Sequence, residues 1–135
     1  DHILVSIAPV KGEDIVIKNF QNNLEKSKTK WITYLSATSV YGNHNGDWVD
    51  ENSDTKPTSS NGIDRLNAEK SWLNLAEKKI LPIQILRLSG IYSNQNNILV
   101  RLKTGNTKII NKKNDYLHYY VVIFVKFNCL NRLNY

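Results

Sequence analysis

The chain has 135 residues, 41% of them hydrophobic and 22% charged, which is sequence enough for one domain with a real core. Its single cysteine, Cys129, excludes an internal disulfide framework and a cysteine metal cluster, and leads to the expectation of a reducing, cytoplasmic setting. The longest apolar run, Tyr119 to Val125, is far shorter than the ~20 residues of a membrane helix, so a soluble protein with no membrane partner is expected.

In chain order, His2 to Pro9 is a short, β-branched run closed by proline and reads as a buried strand. Gly12 breaks it. Asp14 is placed to cap a helix whose Val16, Ile17, Phe20 and Leu24 recur at helical spacing, with Lys26, Lys28 and Lys30 where positive charge suits its C-terminus. Trp31 to Ser36 is the next strand, and strand–helix–strand with short connections predicts a parallel pair with a right-handed crossover. From Gly42 to Ser60 the chain is rich in Asn, Asp, Ser and Gly, with only Trp48-Val49 as an apolar pair, and reads as a long loop of the kind that often carries function. Ser60 or Asn61 caps a helix ending near Lys78-Lys79. Ile80 to Leu88 is a third strand whose pairing begins after Pro82; Ser89 to Tyr92 is a turn; Ile98 to Lys103 is a short helix closed at Gly105. Lys108 to Ile110 and Tyr116 to Leu130 read as strand-like.

The formal charge of +6 lies entirely in residues 97–135, where seven basic residues face only Asp115, while residues 1–96 balance eleven basic against eleven acidic. A basic tail can touch phosphates, but a solvated, compositionally biased surface is the favoured reading and nucleic acid is an unlikely partner. Asp47, Asp50, Glu51 and Asp54 lack the alternating spacing of a calcium loop, and no Cys or His stands at zinc-ligand spacing, so no metal is expected.

Two stretches carry the strongest signal: Tyr34 to Gly42, containing Ser36, Thr38 and Val40-Tyr41-Gly42, and Asn61 to Glu69, containing Gly62, Arg65-Leu66 and Ala68-Glu69. With Gly46, Trp48 to Glu51, Pro57, Leu86 to Leu88, Gly90 to Tyr92 and Asn97, they resemble the NAD-dependent epimerase/dehydratase family, the atypical extended short-chain dehydrogenases/reductases, over about residues 3 to 113. The resemblance implies an α/β fold, a partial Rossmann-like parallel sheet of three to four strands with flanking helices in residues 1–113, followed by a divergent basic and aromatic tail in 114–135.

It also implies NAD or NADP as cofactor, a sugar-nucleotide-like substrate, and a Ser, Tyr and Lys catalytic set. Those positions read Ala37, Asn61 and Arg65, the second twenty-four positions after the first, which fits the family's arrangement. Ser6, Ala8, Ser36, Arg65, Ser89, Gly90 and Ile91 fall at its cofactor-contacting positions. Tyr41 is the one nearby proton donor able to stand in for the lost tyrosine, although Ser36 and Thr38 bonding local backbone and Tyr41 packing under the loop is the favoured reading. No glycine-rich phosphate turn precedes Gly42, so dinucleotide binding is in doubt. The opening strand resembles the family's fourth, the chain holds no methionine, and it begins at Asp1; a fragment of a longer protein is the expectation.

The expected function is therefore an oxidoreductase of epimerase/dehydratase type, incomplete and catalytically impaired, because Asn61 exchanges no proton near neutrality and Ala37 offers no hydrogen bond. The alternative is a non-enzymatic remnant or interaction module, forming a homo-oligomer through the exposed edge of the first strand.

Overall fold

The structure is a computed structural model that describes residues 1–79, 81–91, 98–105 and 123–125, the last three and residues 98 and 101 by their backbone alone. Strand β1 (His2–Val5), helix α1 (Ile15–Lys26), strand β2 (Trp31–Ala37), a 3-10 turn (Thr38–Val40), helix α2 (Ser60–Lys79), strand β3 (Ile83–Leu88), helix α3 (Ile98–Lys103) and strand β4 (Ile123–Val125) follow in order. The sheet runs β1-β2-β3-β4, with the first three strands parallel and β4 antiparallel to β3. It is the partial Rossmann-like α/β architecture that the resemblance implies. The second expected strand region contains β4, whereas 108–110, the rest of 116–130 and the boundary between 113 and 114 lie outside the described residues.

Capping decides where each helix begins. Asp14 Oδ1 accepts from the Val16 and Ile17 amides at 2.9 Å each, so α1 starts where the sequence places it. Helix α2 is capped one residue earlier than expected. Ser59 Oγ accepts from the Gly62 amide at 3.1 Å, and the Ser59 carbonyl takes the Ile63 amide at 3.0 Å, leaving Ser60 and Asn61 already inside the first turn. Pro82 stands just outside β3 as predicted, its carbonyl accepting from Ile32 at 2.9 Å.

Both crossovers advance the chain one strand in the same direction, and right-handed connections put α1 and α2 over one face of the sheet. Along that face the register pairs Ile32 with Ile83, Tyr34 with Ile85 and Ser36 with Arg87, all buried. Trp72 of α2 completes this layer, stacked on Tyr34 with ring centroids 5.8 Å apart, its indole donating to Asp14 Oδ2 at 2.9 Å. One contact thus joins a large buried aromatic surface to the cap of α1. The opposite face has no such cover among the described residues. There Trp31 donates to Thr33 and Gln84, and Leu4 of β1 is 64% exposed.

That asymmetry corrects the reading of the opening segment. Pairing with β2 holds only His2 to Val5, and Ser6, Ile7 and Ala8 are exposed, because β1 is an edge strand covered on one face and not a buried strand running to Pro9.

The long connection after β2 is organised rather than slack. Gly42 (φ 72°) bridges to Lys56, and the Lys56 amide donates to the Tyr41 carbonyl at 3.1 Å, closing the base of residues 43–55. A Cβ on Gly42 would lie 1.8 Å from the Lys56 carbonyl oxygen, so only glycine fits. No described helix is long and apolar enough to cross a membrane.

Candidate active site

Three elements meet where β1 and β2 end. Gly62 lets them meet closely: a Cβ there would fall 2.6 Å from the Ser39 carbonyl oxygen, so its absence allows the first turn of α2 to press against the 3-10 turn. Between them lies a cavity of about 380 Å³. Ala8 and Pro9 form its wall on the β1–α1 connection, Ala37 the end of β2, Ser39 the 3-10 turn that follows, and Ser59, Asn61, Asp64 and Arg65 the start of α2. Open parallel sheets place ligands at this edge, outside the carboxyl ends of the strands.

Ala37, Asn61 and Arg65, separated widely in the chain, thus share one cavity. Residues 61, 64 and 65 do so because positions three and four apart occupy one helix face. Arg65 is held by its Nη1, which donates to the Leu35 carbonyl at 2.6 Å, and the guanidinium lies beside the buried Tyr34. Burial pushes the Tyr34 hydroxyl up to about 12, against the opposing pull of the Arg65 charge, so this phenol stays protonated near neutrality. Among the described residues no carboxylate forms an ion pair with Arg65.

Of the other predicted site residues, Ala8 lines the cavity and the rest do not. Ser6 is exposed beyond β1, Ser89 is half-buried after β3, and Gly90 and Ile91 are exposed beyond it. Ser36 turns into the helix-covered face beside Arg87, where its Oγ is buried without a hydrogen-bond partner among the described residues. Tyr41 is 2% exposed, and its hydroxyl donates to the Asp50 carbonyl at 2.7 Å. Burial raises its pKa as well, so it is the weaker acid for being there.

Sequence reasoning missed Pro9, Ser39, Ser59 and Asp64. Asp64 was legible as the residue three positions after Asn61 on the face that also carries Arg65. Ser39 and Ser59 required the approach that Gly62 permits, which has no one-dimensional signature.

A second polar cluster lies one turn further along α2. Glu69 takes Arg87 in a two-pronged ion pair, accepting from Nε at 3.1 Å and from Nη2 at 2.7 Å, with both residues buried. The guanidinium carbon stands 4.7 Å from the centroid of the Tyr41 ring. Among the described residues no group of three or more His, Cys, Asp and Glu side chains is placed to hold a metal ion.

No protein-family model and no curated protein matches the chain. Among solved structures, a functionally unknown conserved protein from Silicibacter pomeroyi DSS is similar at 39% identity, over 67% of this chain and 32% of that one, with a TM-score of 0.62. The UDP-glucuronic acid 4-epimerase of Bacillus cereus is similar at 24% identity, both in its complex with NAD (61% of this chain, 26% of that one, TM-score 0.56) and in its complex with UDP-glucuronic acid and NAD (65%, 29% and 0.58). The chain therefore spans about a third of the length of the first of these proteins, and it shares with all three a Rossmann-like α/β fold.

Proposed function

We propose that the chain is the substrate-holding part of an NAD(P)-dependent epimerase/dehydratase-like oxidoreductase domain that takes a sugar-nucleotide-like ligand and is impaired in proton transfer. The observation that carries this reading is the meeting of Ala37, Asn61 and Arg65 in one cavity at the carboxyl ends of parallel strands. The fold shared with a UDP-sugar epimerase supports the lineage.

The polar groups lining the cavity suit hydroxyl-bearing rings: Ser39, Ser59 and Asn61 donate and accept, Asp64 accepts and Arg65 donates. They do not fit NAD(P) in the manner of the family. Arg65 is already engaged with Leu35, Ala37 offers a methyl group, and the left-handed glycines nearest the site, Gly12 and Gly42, belong to a two-residue turn and to the base of a loop rather than to a phosphate cradle. No step is routed through the cofactor. Arg65 is permanently charged and Asn61 does not titrate, so neither moves a proton.

Calorimetry on the full chain with UDP-glucose, UDP-glucuronic acid, NAD⁺ and NADP⁺ tests this. Binding of a UDP-sugar with neither an epimerised sugar nor NADH formed in the presence of NAD⁺ is the expected result; turnover would overturn the impairment, and silence toward every ligand would overturn the lineage reading. In that event the second reading gains ground, in which the chain pairs with itself through β1. It rests on the position of β1 at the end of the strand order, with no partner on its outer side among the described residues. Light scattering showing a strictly monomeric sample would dismiss it. A cytoplasmic location belongs to the same proposal.

A further inference from the structure

Asparagine followed by glycine occurs twice in the chain, at Asn45-Gly46 and at Asn61-Gly62. Such a pair is chemically reactive: glycine has no Cβ to shield its backbone nitrogen, and that nitrogen can close a five-membered ring on the asparagine side-chain carbon. Closure has two structural requirements. The glycine amide must be free of a hydrogen-bond partner, and the peptide between the two residues must be free to turn.

The two pairs differ in both respects. Asn61-Gly62 lies in the first turn of α2, where the Gly62 amide donates to Ser59 Oγ at 3.1 Å. Gly62 is buried against the 3-10 turn, so close that a Cβ would fall 2.6 Å from the Ser39 carbonyl oxygen, and its peptide has no room to rotate. Asn45 and Gly46 are both exposed. Their φ values of 56° and 91°, with the Asp47 amide donating to the His44 carbonyl at 3.0 Å, make them the centre of a type I′ turn. That one bond closes the turn, and the Gly46 amide takes no part in it. Asn43 Nδ2 also donates to Asn45 Oδ1 at 3.3 Å, drawing electron density away from the carbon that the nitrogen attacks.

We propose that Asn45 is a site of spontaneous deamidation, and that the fold protects Asn61 in the cavity from the same reaction. The Gly46 nitrogen bonds to Asn45 Cγ and gives up its proton; the bond from Cγ to Nδ2 breaks, and Nδ2 leaves with one added proton as ammonia. Water then opens the cyclic imide at either carbonyl, giving aspartate through one and isoaspartate through the other. Water is the only co-reactant. The product removes one unit from the formal charge of +6, and its isoaspartyl form lengthens the backbone by one carbon in a segment already closed at its base by Gly42 and Lys56. The cavity keeps the neutral amide of Asn61.

The test is incubation of the full chain in mildly alkaline buffer, folded and in urea sufficient to unfold it, followed by peptide mapping with mass spectrometry. In urea both pairs should convert at similar rates, which sets the clock for the chemistry without the fold. In the folded chain Asn45 should convert within about tenfold of that rate and Asn61 roughly a hundredfold more slowly, because an exposed turn opens at little cost and a helix turn held by tertiary contacts does not. Electron-transfer fragmentation should find aspartate and isoaspartate together at position 45, the mixture that a ring intermediate gives. Asn45→Gln, which would need a six-membered ring, should stay unmodified at that position with an unchanged thermal melt. Equal rates at the two asparagines in the folded chain, an Asn45 that stays intact while its urea control converts, or aspartate as the sole product overturns the proposal.

Discussion

Two arginines separate what is scaffold from what is chemistry in this chain. Arg87 is buried, and two of its donor groups close on Glu69 while its flat face covers Tyr41. Arg65, one turn of α2 before Glu69, has a single bond to backbone and opens on a cavity. Tyr41, Glu69 and Arg87 are locked into packing, whereas Ala37, Asn61 and Arg65 are among the residues that line the cavity. Tyr41, Glu69 and Arg87 therefore report on how the sheet and α2 hold together, and say little about what the cavity can do.

The largest expected effect breaks the closed side. Glu69→Ala leaves the Arg87 guanidinium buried without its partner, and should destabilise the fold by about 3–5 kcal/mol in a urea titration. A loss under about 1 kcal/mol would mean that Arg87 finds water and that the pair is not a fixed part of the core. Next, Asp14→Ala removes the cap of α1 and orphans the Trp72 indole, costing about 2–3 kcal/mol by the same measurement.

A third prediction uses pH. The Tyr34 hydroxyl is raised from 10.0 to about 12 by burial, so the folded state holds its proton more tightly than the unfolded chain does. The stability this confers is complete below pH 10 and is lost as pH rises toward 12. Midpoints measured across that window should fall more steeply for wild type than for Tyr34→Phe. Parallel curves would show that Tyr34 reaches solvent. The smallest effect belongs to the open side: Asn61→Ala, at an exposed position of α2, should leave stability within about 0.5 kcal/mol. A larger loss would mean that Asn61 is structural and that the contrast between the two sides is not a clean one.

Most elements could be read along the sequence because their causes are local. The Asp14 cap, the helical recurrence of Val16, Ile17 and Leu24, and the Pro82 boundary of β3 each act within a few residues. What could not be read was set by neighbours across space. Leu4 is exposed because no described element covers that face, a fact about the sheet and not about the run of apolar residues around it. Ser59 displaces Ser60 as cap through the local geometry of Gly62, two serines in a row giving no hint which one turns inward. The site was legible as far as the family positions reach. Asp64 is not among the residues that carry the resemblance, and the pairing of Glu69 with Arg87 joins residues eighteen positions apart, beyond the reach of any local pattern.

The closure at the base of residues 43–55 has a consequence for how this chain tolerates change. With Gly42 and Lys56 joined beneath it, the segment contributes its chain entropy as a ring already fastened at both ends. Lengthening such a ring is cheap, each doubling costing about 0.6 kcal/mol. Insertions at its tip, near Asn45 and Gly46, should be absorbed without disturbing the sheet, whereas the single methyl added by Gly42→Ala would break the closure at the base and leave the segment tied to the core through Val49 and the Tyr41–Asp50 bond.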